Sequence, residues 1–110
     1  MAVVDPDAGK LVTTVDIGGG VDAGAFNPKT QQIFMSCGEG VLTVVHEDTP
    51  DKYSVVQNVP TVRGARTMAL DAASNTVYSA TAQFDPTPPP AGQRRKILPD
   101  TFELLVIRPE

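Results

Sequence analysis

An internal repeat of about 44 residues restricts the fold of this chain more than any other feature. Residues 25–34 (AFNPKTQQIF) align without a gap with residues 69–78 (ALDAASNTVY), an offset of 44 positions. Each copy consists of a short apolar strand, a polar turn of about five residues, and a β-branched and aromatic pair. The same local pattern is therefore used at least twice along the chain.

Two further segments repeat at nearly the same offset. Residues 3–5 match residues 44–46 at an offset of 41, and residues 10–17 match residues 52–59 at an offset of 42. The small differences in offset fall in turns. Because chance alignment rarely preserves turn residues and apolar pairs together, the pattern predicts one supersecondary unit per period.

Within each unit the apolar residues recur at a period near two, which is typical of strands and not of helices. Short segments rich in Val, Ile, Thr, Phe and Tyr alternate with clusters of Gly, Pro, Asn and Asp. Val and Thr are poor helix formers, so the sequence predicts no helix. It predicts nine strands, over residues 2–5, 10–17, 21–26, 32–37, 40–46, 53–59, 65–70, 76–82 and 102–108.

A repeat of this length with four short strands is typical of one β-propeller blade. Labelled A to D from the central axis outwards, the strands follow the order C-D, A-B-C-D, A-B-C. We therefore predict an all-β chain with about two four-stranded antiparallel blades and some partial-blade strands. Its single partial propeller domain divides into residues 1–20 (strands C and D of a preceding blade), 21–61 (a full blade) and 62–110 (a final blade with a proline-rich insertion over 84–100).

Composition excludes several classes of partner. The net charge of -4 and a pI near 4.8 disfavour nucleic acid, whose phosphates would be repelled. No apolar run approaches the roughly 20 residues of a membrane helix, so no membrane association is predicted. Met1 is followed within a few residues by Asp5 and Pro6, unlike a signal peptide, which predicts a cytoplasmic location for the chain as supplied. Cys37 is the single cysteine and cannot form an internal disulfide.

The chain offers few residues for chemistry. His46 is the only histidine, and without a second one we interpret it as a strand-end surface residue rather than a metal ligand. Cys37 precedes a Gly-Glu-Gly hairpin and is interpreted as a structural thiol, the alternative being a reactive one. Gly18-Gly19-Gly20 precedes a strand instead of the helix that a phosphate loop needs. No Gly-x-Ser-x-Gly or Ser/His/Asp arrangement is evident. We predict no catalytic residue, metal or cofactor.

The predicted ligand-binding surface lies where strands D connect to strands A. Asp22, Arg63 and Arg66 lie at the beginnings of the A strands, which line the central channel of a propeller. The two arginines suit a carboxylate or phosphate ligand. The alternative is that they pair with neighbouring acids or face solvent.

Several stretches resemble the YVTN family of β-propeller repeats. Residues 34–37 (FMSC) and 78–81 (YSAT) occupy the positions of its Tyr-Val-Thr-Asn strand ending. Residues 3–20 are similar to its V-I-D-x-x-x-x-K-V-V-x-x-I-x-V-G stretch, and residues 25–28 to its A-x-x-P turn. The resemblance implies the C-terminal blades of a seven-bladed member. It also implies a mostly non-enzymatic family that is often periplasmic or secreted.

Two blades alone leave two apolar faces uncovered. At about 25 cal/mol per Å², an open face of about 400 Å² forfeits on the order of 10 kcal/mol, comparable with a domain's whole stability. We therefore predict a homo-oligomer, a trimeric or tetrameric ring closed by strand exchange between residues 10–17 of one copy and 102–108 of another. Three copies would give six blades and four copies eight.

The predicted function is a non-catalytic β-propeller repeat module, acting as a self-assembling scaffold or as a binding surface for an unassigned ligand. The alternative is a fragment of a propeller enzyme, lactonase-like or hydrolase-like, whose channel site is incomplete in this chain. A third hypothesis is a truncated product of a longer gene. Bound metal would favour the enzyme, since such a site needs acids and a metal ion from several blades.

Overall fold

The protein is all-β, as predicted. The computed structural model describes residues 1–109, and over that range it contains nine strands and no helix. The strands are β1 (Ala2–Asp5), β2 (Lys10–Thr14), β3 (Val21–Asn27), β4 (Gln32–Cys37), β5 (Val41–Thr49), β6 (Lys52–Pro60), β7 (Thr67–Asp71), β8 (Thr76–Thr81) and β9 (Glu103–Ile107).

These strands form three antiparallel sheets in which neighbours in sequence are neighbours in space. The first sheet is the hairpin β1-β2, the second is β3-β4-β5-β6, and the third is β7-β8-β9. β2 ends at Thr14 instead of residue 17, because β1 is too short to pair with a longer strand. β5 and β6 are longer than predicted because their pairing continues past two irregularities in register, at Val44/Val45 and Glu47/Thr49.

Three hairpins, β1-β2, β3-β4 and β7-β8, share one turn geometry. In each, the last residue of the first strand is Asp or Asn, and its side-chain oxygen accepts a hydrogen bond from the backbone N–H two residues later. The pairs are Asp5 with Asp7 (2.9 Å), Asn27 with Lys29 (3.1 Å) and Asp71 with Ala73 (3.1 Å). The residue just before the second strand is left-handed: Gly9, Gln31 and Asn75 have φ of 63°, 59° and 56°. The sequence repeat is thus also a repeat of turn geometry.

The hydrophobic core lies between the second and third sheets. β3 contacts β7, so the first strands of the two sheets are neighbours. Buried side chains of the second sheet face those of the third, and partly buried ones surround them. The core residues are Phe34, Leu42, Val44 and Val77, with Val59, Met68, Leu70 and Ile107 packed against them. The second and third sheets therefore stack face to face.

Side-chain amides join the turns of these two sheets. Asn27 is fully buried, and its Nδ2 donates hydrogen bonds to the carbonyl oxygen of Ala72 (3.1 Å) and to Oδ1 of Asn75 (2.7 Å). Nδ2 of Asn75 donates in turn to Oε1 of Gln32 (2.8 Å). Since a buried amide without partners is costly, this network fixes the stacking of one turn on the next.

The first hairpin covers the other face of the second sheet only in part. A groove of about 410 Å³ lies between them, lined by Val3 on β1 and by Phe26, Ile33, Met35 and Tyr53 on the second sheet. Because the hairpin contains only two strands, the part of the second sheet formed by β3 and β4 remains open on this side.

The proline-rich segment forms an arm between β8 and β9. Within residues 82–102 the only strand pairing is an isolated bridge between Phe84 and Ile97. The ring of Phe84 lies against Gly64, where a Cβ atom would come within 2.6 Å of it. The arm therefore folds back over the loop that precedes β7, as an insertion and not as a strand.

Candidate functional site

Three loops meet at one end of the second and third sheets. They are residues 15–20, the Gly38-Glu39-Gly40 turn, and residues 61–66. The N–H of Gly38 donates to the carbonyl of Gly20 (2.8 Å), and the N–H of Gly64 donates to the carbonyl of Gly38 (2.8 Å). The Gly38–Gly40 turn therefore lies between the two connections that lead into β3 and β7.

Glycine is needed in this turn for two separate reasons. Gly40 has a φ of 109°, and a Cβ atom there would lie 3.2 Å from the backbone N of Arg63. At Gly38 a Cβ atom would lie 3.3 Å from the carbonyl oxygen of Gly20. The close approach of three backbone segments thus depends on residues without side chains.

Arg63 and Arg66 lie on either side of the turn, and both side chains are exposed. The Cβ and Cδ atoms of Arg66 lie beside Gly38, whereas the backbone of Arg63 lies beside Gly40. Within residues 1–109 neither guanidinium group lies in salt-bridge distance of a carboxylate.

Asp22 lies at the same end, near the beginning of β3. It occupies an irregularity in the strand: Val21 pairs with Cys37 and Ala23 pairs with Ser36, which leaves Asp22 without an opposite residue. Its side chain is exposed. The structure thus brings the three residues singled out from the sequence to one end of the molecule, Asp22 on β3 and the two arginines on the loop between β6 and β7.

Buried hydroxyl groups, which the sequence analysis missed, fix the backbone beneath the arginines. Ser36 Oγ donates to the carbonyl oxygens of Arg66 and Ala23, the latter at 3.3 Å. Thr81 Oγ1 donates to the carbonyl oxygen of Arg63 at 3.4 Å. Both hydroxyl groups belong to buried residues. The only sequence signal for them is a polar residue near the end of an apolar strand.

Cys37 is fully buried at this end of the second sheet. Its thiol donates to the carbonyl oxygen of Met35 at 3.5 Å, and its Cβ atom lies close to Gly18. A buried thiol that packs against a neighbouring backbone acts as a small apolar side chain. A structural thiol, as Cys37 was interpreted from the sequence, requires such a buried position.

A second polar cluster lies on the outer strands of the second sheet. His46 Nδ1 and Asp48 Oδ1 are 2.7 Å apart, and Ser54 Oγ donates to the same Oδ1 at 3.2 Å. These hydrogen bonds, that of His46 first, hold the pKa of Asp48 below its usual range.

No Ser/His/Asp arrangement is evident in the sequence. The structure brings Ser54, His46 and Asp48 together because Ser54 pairs with His46 across β5 and β6. The serine hydroxyl is directed at the carboxylate and not at the imidazole. The cluster therefore lacks the nucleophile-to-base hydrogen bond of a catalytic triad.

Residues 1–109 contain no group of three or more His, Cys, Asp or Glu placed to hold a metal ion. They also contain no helix of the length and apolarity needed to span a membrane.

Comparisons with protein-family models, with curated proteins and with solved structures found no match to this chain. The fold itself defines the class to which the chain belongs, an all-β protein built from three successive antiparallel sheets.

Proposed function

We propose that the chain is a non-catalytic β-propeller repeat module of the YVTN type that assembles with copies of itself and presents a binding surface. The observation that carries this proposal is the face-to-face packing of the second and third sheets with β3 beside β7. In a propeller, successive sheets stack in this way around an axis, and their first strands lie innermost.

The repeated turns give independent support. Three hairpins use the same Asx turn followed by a left-handed residue, and two of them lie 44 residues apart, at Asn27–Gln31 and Asp71–Asn75. The buried amide of Asn27 joins these two turns directly. A fold made of one unit used repeatedly explains why equivalent turns are stacked on each other.

The binding surface of this proposal is the end of the second and third sheets where residues 15–20, 38–40 and 61–66 meet. Arg63 and Arg66 present exposed guanidinium groups on a backbone held by Ser36 and Thr81, so little conformational freedom of the backbone is lost when an anion binds. Asp22 adds a hydrogen-bond acceptor at the same end. The ligand class that suits these groups is a small carboxylate or phosphate compound.

Titration of the ¹⁵N-labelled chain with inorganic phosphate at low salt tests this surface. We expect amide shifts confined to residues 18–22, 38–40 and 61–67. We expect Arg63→Gln or Arg66→Gln to weaken binding about tenfold, because a charge-assisted hydrogen bond contributes roughly 1.5–3 kcal/mol. Arg95→Gln is the matched control, an exposed arginine on the arm. Shifts spread over the whole surface, or an equal effect of Arg95→Gln, would disprove the proposed site.

The proposal includes assembly into a closed ring of three or four copies by strand exchange. Two features support it. The outer edge of β9 has no partner strand within residues 1–109. In addition, a cavity of about 280 Å³, lined among others by Val56, Val59 and Ile107, lies beside β9 where a fourth strand of the third sheet would pack. Multi-angle light scattering tests this assembly, and a monomer at every concentration would refute it.

A further inference from the structure

The open face of the third sheet corresponds by register to a face that is buried elsewhere in the same chain. Phe34 pairs with Val44 and Ser36 with Leu42, just as Tyr78 pairs with Val106 and Ala80 with Leu104. In the second sheet Phe34, Leu42 and Val44 are 5%, 2% and 6% exposed. Their counterparts Tyr78, Leu104 and Val106 are 38%, 57% and 44% exposed. The third sheet thus keeps apolar side chains at the positions that a following sheet would cover.

The groove beside the first hairpin exposes the equivalent of a covering face, whereas the third sheet exposes the equivalent of a covered face. In the chain, the face that covers Phe34 and its neighbours is formed by β7 and β8, with Met68, Leu70 and Val77. At an offset of 44 residues these three positions correspond to Gly24, Phe26 and Ile33, which line the groove. The wall of the groove is therefore the equivalent of the wall that covers the second sheet's apolar face.

The strands that are present also complement each other. The third sheet contains the equivalents of strands one to three of the second sheet but has no fourth strand. The first hairpin contains the equivalents of strands three and four, since residues 3–5 match residues in β5 and residues 10–17 match residues in β6. β1 and β9 therefore hold the same position, and β2 is the fourth strand that β9 lacks.

From these correspondences we infer that the groove over β3 and β4 is the docking site for the third sheet of a second copy, and that β9 of that copy replaces β1 at the edge of β2. This inference rests on the proposed self-assembly and identifies its contact surface. The resulting sheet, β7-β8-β9 completed by β2 of the other copy, has the strand order of the second sheet. The open face with Tyr78, Leu104 and Val106 then lies on Phe26 and Ile33.

The register of the new strand pair follows from the first hairpin. In the first hairpin the equivalents of Leu42 and Val44 are Met1 and Val3, which pair with Val15 and Thr13. A β9 strand in the place of β1 therefore has Leu104 opposite Val15 and Val106 opposite Thr13 of the other copy. Val15 is at present hydrogen-bonded to Met1, whose carbonyl oxygen accepts from its N–H at 2.8 Å. Docking therefore exchanges this pairing for one with β9.

The contact area sets the conditions for a test. Three strands of five residues present a face of about 250 Å², so two faces bury roughly 500 Å² apart from the strand pairing. A stable interface buries about 1,200 Å² or more, so one contact is weak and ring closure strengthens it. Association is therefore expected to depend steeply on protein concentration.

Cysteine cross-linking of the full chain tests the register. Thr13→Cys and Val106→Cys variants are oxidised separately and as a mixture, while the fully buried Cys37 stays out of reach. We expect at least about tenfold more dimer in the mixture than in either variant alone, because only opposed residues bring Cβ atoms within disulfide distance. Adding Leu104→Glu to the Val106→Cys chain should reduce the cross-link about tenfold through loss of the apolar contact. Val62→Lys, an exposed apolar residue outside the interface, should leave it unchanged.

Each other outcome refutes a defined part of the reasoning. A cross-link in Val106→Cys alone would show that like faces pair, which contradicts the inferred contact. A wild-type oligomer whose variants do not cross-link would refute this contact but leave the proposed assembly intact. A wild-type chain that remains monomeric by light scattering would refute both. Circular dichroism of each variant establishes that the strands are retained.

Discussion

Two leucines at equivalent positions of successive sheets provide a direct measurement of what sheet stacking contributes. Leu42 on β5 is 2% exposed in the core between the second and third sheets, and Leu104 on β9 is 57% exposed. Both face a residue of the neighbouring strand at the same register. Replacing each by alanine therefore removes the same atoms from the same strand position, once under a covering sheet and once without it.

The expected costs differ because burial differs. Leu42→Ala should lower the free energy of unfolding by about 2–5 kcal/mol, the range for a buried leucine that leaves a cavity. For Leu104→Ala, at about 0.8 kcal/mol per buried CH₂ and with less than half of the side chain covered, the expected loss is about 1 kcal/mol, with no cavity left behind. The difference between the two variants should therefore be at least about 1 kcal/mol.

Urea unfolding followed by circular dichroism measures both values, at the lowest protein concentration that gives a usable signal. The midpoint should fall more for Leu42→Ala, while the m-value stays that of the wild type. Equal losses in the two variants would contradict the stacking argument, because Leu104 would then be covered within the monomer. A loss below about 1 kcal/mol for Leu42→Ala would show that the second and third sheets are not packed as described.

Two further predictions concern a glycine and a carboxylate. Gly64→Ala should destabilise the fold by more than the roughly 1–2 kcal/mol expected for a left-handed residue, because its Cβ atom would also meet the ring of Phe84. Gly92→Ala is the control, since it has the same backbone strain but no neighbour within 4 Å. Urea unfolding compares the two variants, and equal losses of stability would contradict the contact with Phe84. His46→Gln should raise the pKa of Asp48 towards its usual value. The lowered pKa gives a small stabilisation that is present above the ordinary aspartate pKa and is lost as the pH falls through the lowered one, and the variant should reduce this stabilisation. ¹³C NMR titration of the carboxyl group measures the pKa, and an unchanged value would refute the hydrogen bond.

Local patterns made the strands predictable. Alternating apolar residues, separated by clusters of Gly, Pro, Asn and Asp, predicted the approximate positions of all nine strands. The repeat between residues 25–34 and 69–78 reappears in the structure as one shared turn geometry. The errors lie at strand ends, where pairing decides. The strand predicted from residue 65 begins at Thr67, because the N–H of Ala65 is used in a turn with the carbonyl of Val62.

Contacts between distant residues were not predictable in the same way. The meeting of Ser54 with His46 and Asp48 depends on the register of two long strands, which residue spacing does not reveal. The hydroxyl of Ser36 reaches a carbonyl 30 residues later in the chain. For the candidate site, the sequence indicated which end of the sheets Asp22, Arg63 and Arg66 would share, but not the groups that hold the backbone there.

The connections between the second and third strands of the two larger sheets differ greatly in length. β4 is joined to β5 by residues 38–40, whereas β8 is joined to β9 by residues 82–102. Closing a loop about seven times longer costs roughly 1.7 kcal/mol more in chain entropy. β9 is thus attached to its sheet at a greater entropic cost than β5, and it has one neighbouring strand instead of two. We expect thermal opening of the molecule to begin there, with the last strand leaving while the two preceding sheets remain folded.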